Sequence, residues 1–257
     1  MGALIEGMES MRRRLAKFEF APRLRNRLLR RLLPPIAARH AEYSMILSVD
    51  DDPSQPSPRL FDVSQRAIAR AREIHLTDLA SRNRVATRTI DVWPGDHHRL
   101  LAALVENERP QVVIEIGTFE GVSAMAMAKF LPVGGRLVTF DIAPWKSFPD
   151  TCFLESDFAG GRIEQRVDDL GDRNAFARHA SLIEQADLLF IDAAKDGSLE
   201  QRIIAHLETV KFRRPPLVVF DDVRVWNMLQ IWRDVRHPKL DLTSFGHFSG
   251  TGLVDWT

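Results

Sequence analysis

Short apolar runs alternate with longer amphipathic stretches beyond Trp93. Five of the runs predict strands, which span Gln111 to Ile116, Arg136 to Asp141, Arg162 to Val167, Ala186 to Asp192 and Leu217 to Asp221. Runs such as L-L-F-I and L-V-V-F are apolar at every position, which is typical of parallel strands covered by helices on both faces. The pattern therefore predicts an α/β fold built on a mostly parallel, doubly wound sheet.

The last stretch, Leu240 to Trp256, has a different pattern. Its two strand-like runs are separated by Gly250 and Gly252, and there is no room for a helix between them. Strands joined by a short connection pair antiparallel, so this stretch predicts a C-terminal antiparallel hairpin at the edge of the sheet.

The N-terminal part of the chain predicts helices. From Met1 to about Leu33 apolar residues recur at helical spacing, and between Met11 and His40 ten basic residues stand against the single acid Glu19. Two basic amphipathic helices are expected there. Such helices could lie on an anionic membrane surface or bind an acidic substrate, or they could pack on the core or on a second subunit with their arginines solvated.

A proline-rich segment follows, Asp50 to Pro58, and it predicts a linker. Its three adjacent aspartates lack the spacing and the glycine of a calcium loop. A further helix is predicted from about Ser64 to Ala80, with Ser64 as its cap. We therefore expect a helical, basic extension with a Pro-rich linker over residues 1–95 and a catalytic domain over residues 96–257.

Composition narrows the class of protein. With 45% hydrophobic and 27% charged residues in a 257-residue chain, a sizeable core can form. The single cysteine, Cys152, excludes an intramolecular disulfide and favours the cytoplasm. No apolar run reaches the roughly 20 residues of a membrane span, and no signal peptide is recognised. Equal numbers of basic and acidic residues, 35 each, argue against nucleic acid as a partner.

The strongest local motif is V-V-I-E-I-G-T-F-E-G-V-S-A, which begins at Val112. A buried strand there ends near Glu115, turns through Gly117, and reaches Gly121 where a helical pattern begins. Glycines at the carboxyl end of a parallel strand let a ligand approach the backbone, although they could also merely make a tight turn. The motif predicts a small-molecule cofactor site on a Rossmann-like unit.

The spacing of the motif separates possible cofactors. Dinucleotides prefer G-x-G-x-x-G, and here Phe119 occupies the second glycine position. S-adenosylmethionine has no phosphate, so it suits this turn better. The residues expected to contact it are Glu115, Gly117, Thr118, Phe119, Gly121, Ser123, Asp141, Trp145 and Asp192. Among them Ser123 and helix amides would bind its carboxylate, Asp141 its ribose, and Trp145 its adenine unless that ring only packs in the core.

These motifs resemble the class I methyltransferases, and within them the metal-dependent O-methyltransferases similar to catechol and caffeoyl-CoA O-methyltransferases. E-I-G-T-F-E-G-V-S-A looks like their first motif, and T-F-D-I matches the acid that ends their second strand. The resemblance covers roughly His97 to Trp256. It implies a metal-binding aspartate and a lysine in a D-x-x-K-D segment, then an Asp-Asn pair on the next strand. Asp192 and Asp221 match this pattern, whereas Asp222 replaces the asparagine.

The residues themselves also predict a metal. Asp192, Asp221 and Asp222 end two strands, and if those strands are neighbours the three carboxylates converge at one edge of the sheet. They would repel one another without a cation, and oxygen ligands suit Mg²⁺ or another divalent cation. The alternative is that some of these acids cap the following helices.

Three residues are candidates for the proton acceptor: Lys195, His97 and His98. Lys195 could take a proton if nearby positive charge and burial lower its pKa, and otherwise it is a solvated helix residue. His97 and His98 follow Asp96, a predicted helix cap. Adjacent helix residues point about 100° apart, so at most one should face the site, and either could be a surface residue. His247 is a weaker candidate.

The sequence thus predicts an S-adenosylmethionine-dependent O-methyltransferase, assisted by a divalent metal. Its acceptor would be a small molecule with adjacent oxygens, such as a catechol-like ring or a sugar diol, because neighbouring oxygens can chelate one metal. The alternatives are an S-adenosylmethionine-binding enzyme with a non-methylating reaction, and a non-catalytic cofactor-binding regulatory subunit. The basic arm makes a homo-oligomer plausible.

Overall fold

The computed structural model describes residues 54–82, 84–90, 96–225 and 228–257. Residues Ser54–Thr257 form one compact unit. The predicted basic helices before residue 34 and residues 50–53 of the predicted linker lie outside the described residues. No helix within these ranges is both long and apolar enough to cross a bilayer.

Within the described ranges, seven strands form one sheet in the order β3-β2-β1-β4-β5-β7-β6. The strands are β1 (Val112–Ile116), β2 (Arg136–Asp141), β3 (Ile163–Val167), β4 (Leu188–Ile191), β5 (Leu217–Asp221), β6 (Lys239–Asp241) and β7 (Thr251–Asp255). The first five pair in parallel, and β7 pairs antiparallel with both β5 and β6. This arrangement confirms the predicted α/β sheet and its C-terminal antiparallel hairpin.

The described helices cover both faces of the sheet. They are α1 (Pro58–Ala71), α2 (Thr77–Ala80), α3 (Arg84–Thr89), α4 (His97–Glu108), α5 (Val122–Ala128), α6 (Glu155–Phe158), α7 (Arg173–Ile183), α8 (Leu199–Leu207) and α9 (Met228–Asp234). Alternate strand residues point to opposite faces. Val113 therefore joins the core beneath α1, α4 and α5, whereas Ile114 joins the core beneath α7, α8 and α9.

The start of α1 differs from the prediction. The helix begins at Pro58, because Ser57 caps it by accepting a hydrogen bond from the Leu60 N–H and proline is tolerated at the first helical position. Ser64 lies inside the helix, where its hydroxyl donates to the Leu60 carbonyl. The predicted single helix to Ala80 is also wrong, since α1 ends at Ala71 and α2 begins at Thr77.

Polar contacts join the start of helix α1 to the end of β7. The Ser57 hydroxyl donates to one oxygen of Asp255 at 2.8 Å, and Arg59 pairs with the other at 2.6 Å. Leu60 is fully buried in the core that α1 shares with α4. Helix α1 is therefore part of the compact unit Ser54–Thr257.

Candidate active site

Polar groups collect at the carboxyl edge of the sheet, around the point where the strand order reverses. β1 lies between β2 and β4, so the crevice of this doubly wound sheet opens beyond these strands. Two cavities of about 230 and 630 Å³ occupy it. Both are lined by Gly117, Phe119, Asp192 and Lys195. Residues predicted for the cofactor and for the chemistry therefore meet in one place.

Two glycines of the turn are required by the packing of the chain around them. Gly117 has φ +105°, and a Cβ there would overlap the carbonyl oxygen of Asp192 and lie 2.7 Å from its carbonyl carbon. Gly121 has φ +78°, and a Cβ there would lie 2.6 Å from Cζ of Phe153. The motif predicts both glycines because a ligand approaches the backbone there. The close approach of Asp192 and Phe153 is a second reason why these positions need glycine.

Phe119 lines both cavities. It is 60% exposed, has φ +44°, and makes an edge-to-face contact with Phe148 at 5.3 Å between ring centroids. A bulky residue with positive φ is uncommon, and such residues concentrate at ligand sites.

Glu115 is fully buried and lines neither cavity. Its two carboxyl oxygens accept hydrogen bonds of 2.6 Å from the hydroxyls of Ser123 and Thr139, and the Thr118 hydroxyl donates to Thr139 in turn. Burial raises the pKa of Glu115 to about 8. Glu115 thus acts on the site by positioning Thr118 and Ser123, which do line the smaller cavity.

Asp141 holds the same turn from the end of β2. One carboxylate oxygen accepts the N–H groups of Thr118 and Phe119 at 3.0 and 2.9 Å, and the other accepts the Ala143 N–H. The side chain also lines the larger cavity. Trp145 is not among the residues that line the two cavities. Its ring stacks on Phe158 at 5.3 Å, so core packing, the alternative to the predicted adenine contact, describes its place.

The three predicted metal ligands converge as expected. Oxygens of Asp192, Asp221 and Asp222 lie within 4.8 Å of one another. Asp221 ends β5, which pairs with β4, and β4 leads into Asp192. Burial and the nearby Asp221 carboxylate raise the pKa of Asp192. The capping alternative applies instead to Asp196, whose carboxylate accepts the first N–H groups at the start of α8.

Lys195 supplies the positive charge in this cluster. Its ammonium lies 2.5 Å from Asp192 and 2.8 Å from Asp222. Burial alone would lower the pKa of Lys195, but these two carboxylates raise it above its ordinary value. The condition for Lys195 as a base, a lowered pKa, is therefore not met in this arrangement. The buried carboxylate of Glu200, which no motif in the sequence marks, accepts the Lys195 N–H and fixes this loop.

His97 and His98 are both buried and both line the smaller cavity, so the expectation that only one faces the site is wrong. Nδ1 of His97 lies 3.8 Å from Asp221 Oδ1. Nδ1 of His247 lies 3.1 Å from each oxygen of Asp221. Burial lowers the pKa of His97. For His247, burial is the largest single effect and acts in the same direction, but the hydrogen bond to Asp221 and the charges of Asp221, Asp222 and Asp192 together outweigh it and raise the pKa.

His247 and Ser249 are the functional candidates that sequence reasoning undervalued or missed. The Ser249 hydroxyl donates to Asp222 and lies 3.0 Å from His247 Nδ1. Because β7 runs antiparallel to β5, the start of β7 meets the end of β5, and Thr251 pairs with Asp221. The predicted terminal hairpin was the available signal, since it brings the F-G-H-F-S-G segment to the acids.

The two cavities lie at the carboxyl edge of the sheet, where doubly wound α/β folds bind their ligands. Residues 71–239 match the model of the O-methyltransferase family, and the chain belongs to that family. This confirms the family predicted from the motifs. The match begins before His97, where the predicted resemblance started, so it includes α2 and α3.

Named relatives agree with this assignment. Mouse catechol O-methyltransferase is 28% identical over 129 residues, which are 49% of this chain and 48% of that protein. Pig catechol O-methyltransferase is 26% identical over 130 residues, 49% of this chain and 67% of that protein. The chain thus spans about half the length of the mouse relative. A putative caffeoyl-CoA O-methyltransferase from Staphylococcus aureus shares the fold, with TM-score 0.51, 15% identity, and coverage of 77% of this chain and 98% of that one.

Proposed function

We propose that this chain is an S-adenosylmethionine-dependent O-methyltransferase that uses a divalent cation and acts on a small molecule with adjacent oxygens. The observation that carries the proposal is the convergence of Asp192, Asp221 and Asp222 beside the glycine turn. The family match and the catechol O-methyltransferase relatives support it.

The two cavities suit the two ligands. The larger cavity of about 630 Å³ contains Asp141, so the adenosine end of the cofactor belongs there. The smaller cavity of about 230 Å³ contains Ser123 near the start of α5 together with the acids and histidines. The N–H groups at a helix start can bind the carboxylate of the cofactor. This cavity therefore takes the methionine end and a small acceptor.

The donor set fits a divalent cation. Asp192, Asp221 and Asp222 carry more negative charge than Lys195 alone offsets, and their oxygens suit a hard ion. Held by these residues, such a cation would lower the pKa of an acceptor hydroxyl and orient its oxygen. Holding the oxygen in line with the methyl group supplies much of the rate. Lys195, His97 and His98 all line the cavity, but the carboxylates that raise the pKa of Lys195 leave the two histidines as the predicted proton acceptors.

The test is methyl transfer by the full chain with S-adenosylmethionine, read by product mass. Catechol is compared with phenol, because phenol has only one hydroxyl to offer a metal. We expect a gain of one methyl group with catechol, loss of transfer after chelation, and recovery when a divalent ion is returned. Full activity after thorough metal depletion would contradict the metal-assisted reaction, and an unchanged product mass would contradict methylation.

Asp192→Asn isolates the acid cluster. We expect it to abolish transfer while S-adenosylhomocysteine still binds, because the turn and Asp141 stay in place. Asp62→Asn is the matched control, since Asp62 is an exposed acid on α1 that pairs only with Arg66 among the described residues. Equal loss of transfer in both variants would refute the role of Asp192.

A further inference from the structure

The three carboxylates of the cluster have different partners. Lys195 forms ion pairs with Asp192 and Asp222. Asp221 has no Lys or Arg nitrogen within ion-pair distance among the described residues. Its neighbours are two imidazoles, with His247 Nδ1 at 3.1 Å and His97 Nδ1 at 3.8 Å. Asp221 is only 3% exposed, so this buried carboxylate lies next to two imidazole nitrogens.

His97 carries a polar atom that the protein leaves unsatisfied. Its Nδ1 is buried and has no hydrogen-bond partner within the described part of the chain, and the ring as a whole is 7% exposed. The 3.8 Å to Asp221 is too long for a hydrogen bond. A buried polar atom without a partner costs free energy, and native structures rarely keep one without a reason.

The distances suit ligands of a single ion. Metal–nitrogen and metal–oxygen bonds are about 2.0–2.2 Å, so two ligands of one ion lie roughly 3–4 Å apart. The separations of 3.1 and 3.8 Å fall in this range. One ligand atom each from His97, Asp221 and His247 lie within 4.8 Å of one another, which requires only a small closure around an ion.

We infer that His97, Asp221 and His247 bind a first-row transition-metal ion such as Zn²⁺, Mn²⁺, Fe²⁺ or Co²⁺. The inference deepens the metal-assisted part of the proposed function and rests on it. Imidazole nitrogen suits these ions, whereas Mg²⁺ and Ca²⁺ prefer oxygen. Asp221 also belongs to the oxygen ligands implied by the family resemblance. An ion bound at Asp221 would therefore have the nitrogen ligands of His97 and His247 in addition to oxygen ligands.

Direct measurement of the bound ion tests this without any methyl acceptor. The full-length protein is stripped by chelation and titrated with Co²⁺, followed by visible absorption, and Mg²⁺ is added as competitor. A Mn²⁺-loaded sample is examined by pulsed electron paramagnetic resonance for coupling to imidazole nitrogen. We expect Co²⁺ binding that excess Mg²⁺ does not displace, and nitrogen coupling from directly bound histidine. Displacement by equal Mg²⁺, or no nitrogen coupling, would overturn the inference.

Variants identify the ligands. We test four variants: His97→Ala, His247→Ala, and the milder His97→Gln and His247→Gln. Each should weaken Co²⁺ binding more than about tenfold, because loss of a group that merely supports a metal ligand already weakens metal binding by about that much. His75→Ala is the control, because His75 is an exposed histidine distant in sequence from the cluster. Thermal melts check folding, and the nitrogen coupling of the wild type decides the question if a variant fails to fold.

The result is separable from the proposed function. Methyl transfer by a protein whose Co²⁺ affinity is unchanged in all four histidine variants would overturn this inference and leave the methyltransferase proposal standing. If Co²⁺ binds through histidine but the protein methylates no acceptor, the methyltransferase proposal is overturned and the inference about the metal ligands stands.

Discussion

Gly117→Ala probes the packing that forms the cofactor turn. Gly117 has φ +105°, and an added Cβ would overlap the Asp192 carbonyl oxygen. Backbone strain at positive φ costs about 1–2 kcal/mol for a residue with a Cβ. Overlap with a backbone atom adds about 1–3 kcal/mol, because the end of β4 must shift. The free energy of unfolding should fall by about 2–5 kcal/mol.

Two other glycines separate these contributions. A Cβ on Gly161, which has φ +66°, would meet nothing within 4 Å, so Gly161→Ala should show the strain alone. A Cβ on Gly160 also meets nothing within 4 Å, and no positive φ applies there. Gly160→Ala should therefore be neutral or stabilise by up to about 1 kcal/mol.

The assay is urea denaturation of the three variants beside the wild type, with equal slopes required for comparison. S-adenosylhomocysteine binding is measured in parallel, since a shift of Asp192 displaces the cluster. An unfolding free energy of Gly117→Ala equal to that of Gly161→Ala would refute the close approach of Asp192 to the turn.

The remaining predictions concern Glu115 and Phe119. Burial raises the pKa of Glu115 to about 8 from an ordinary 4.5, so its carboxyl binds a proton more tightly in the folded state; this contribution to stability is complete below about pH 4.5 and is lost as the pH rises through 8. Glu115→Gln, which keeps a neutral side chain, should flatten that decline in urea titrations from pH 5 to 8, and an unchanged pH profile would contradict it. Phe119→Ala should change the free energy of unfolding by less than about 0.5 kcal/mol because the ring is 60% exposed. It should weaken S-adenosylhomocysteine binding about tenfold by calorimetry, since an aromatic contact buried by the ligand is worth about 1.5 kcal/mol or more. Phe61→Ala, at an exposed position of α1, is the control. A loss of affinity no larger in Phe119→Ala than in Phe61→Ala would argue against a contact between Phe119 and the ligand.

Much of the fold follows from local patterns. Apolar runs bounded by turns predict β2 and β5 with the residue limits that the structure has. Acids at strand ends could be placed together, because parallel strands share a carboxyl edge. The start of α1 was missed because Ser57 and Pro58 were assigned to the linker, although a serine followed by proline is a recognisable helix start.

What the sequence by itself determined is the succession of strands and helices, the glycine turn and the acids that follow β4 and β5. Tertiary structure alone decided which groups touch. The antiparallel pairing of β7 with β5 brings His247 to Asp221, and Phe153 closes on Gly121. Lys195 is a protonated partner of Asp192 and Asp222 because these two carboxylates raise its pKa in spite of its burial. Contacts between residues far apart in the chain depend on strand order and packing, and no local pattern encodes them.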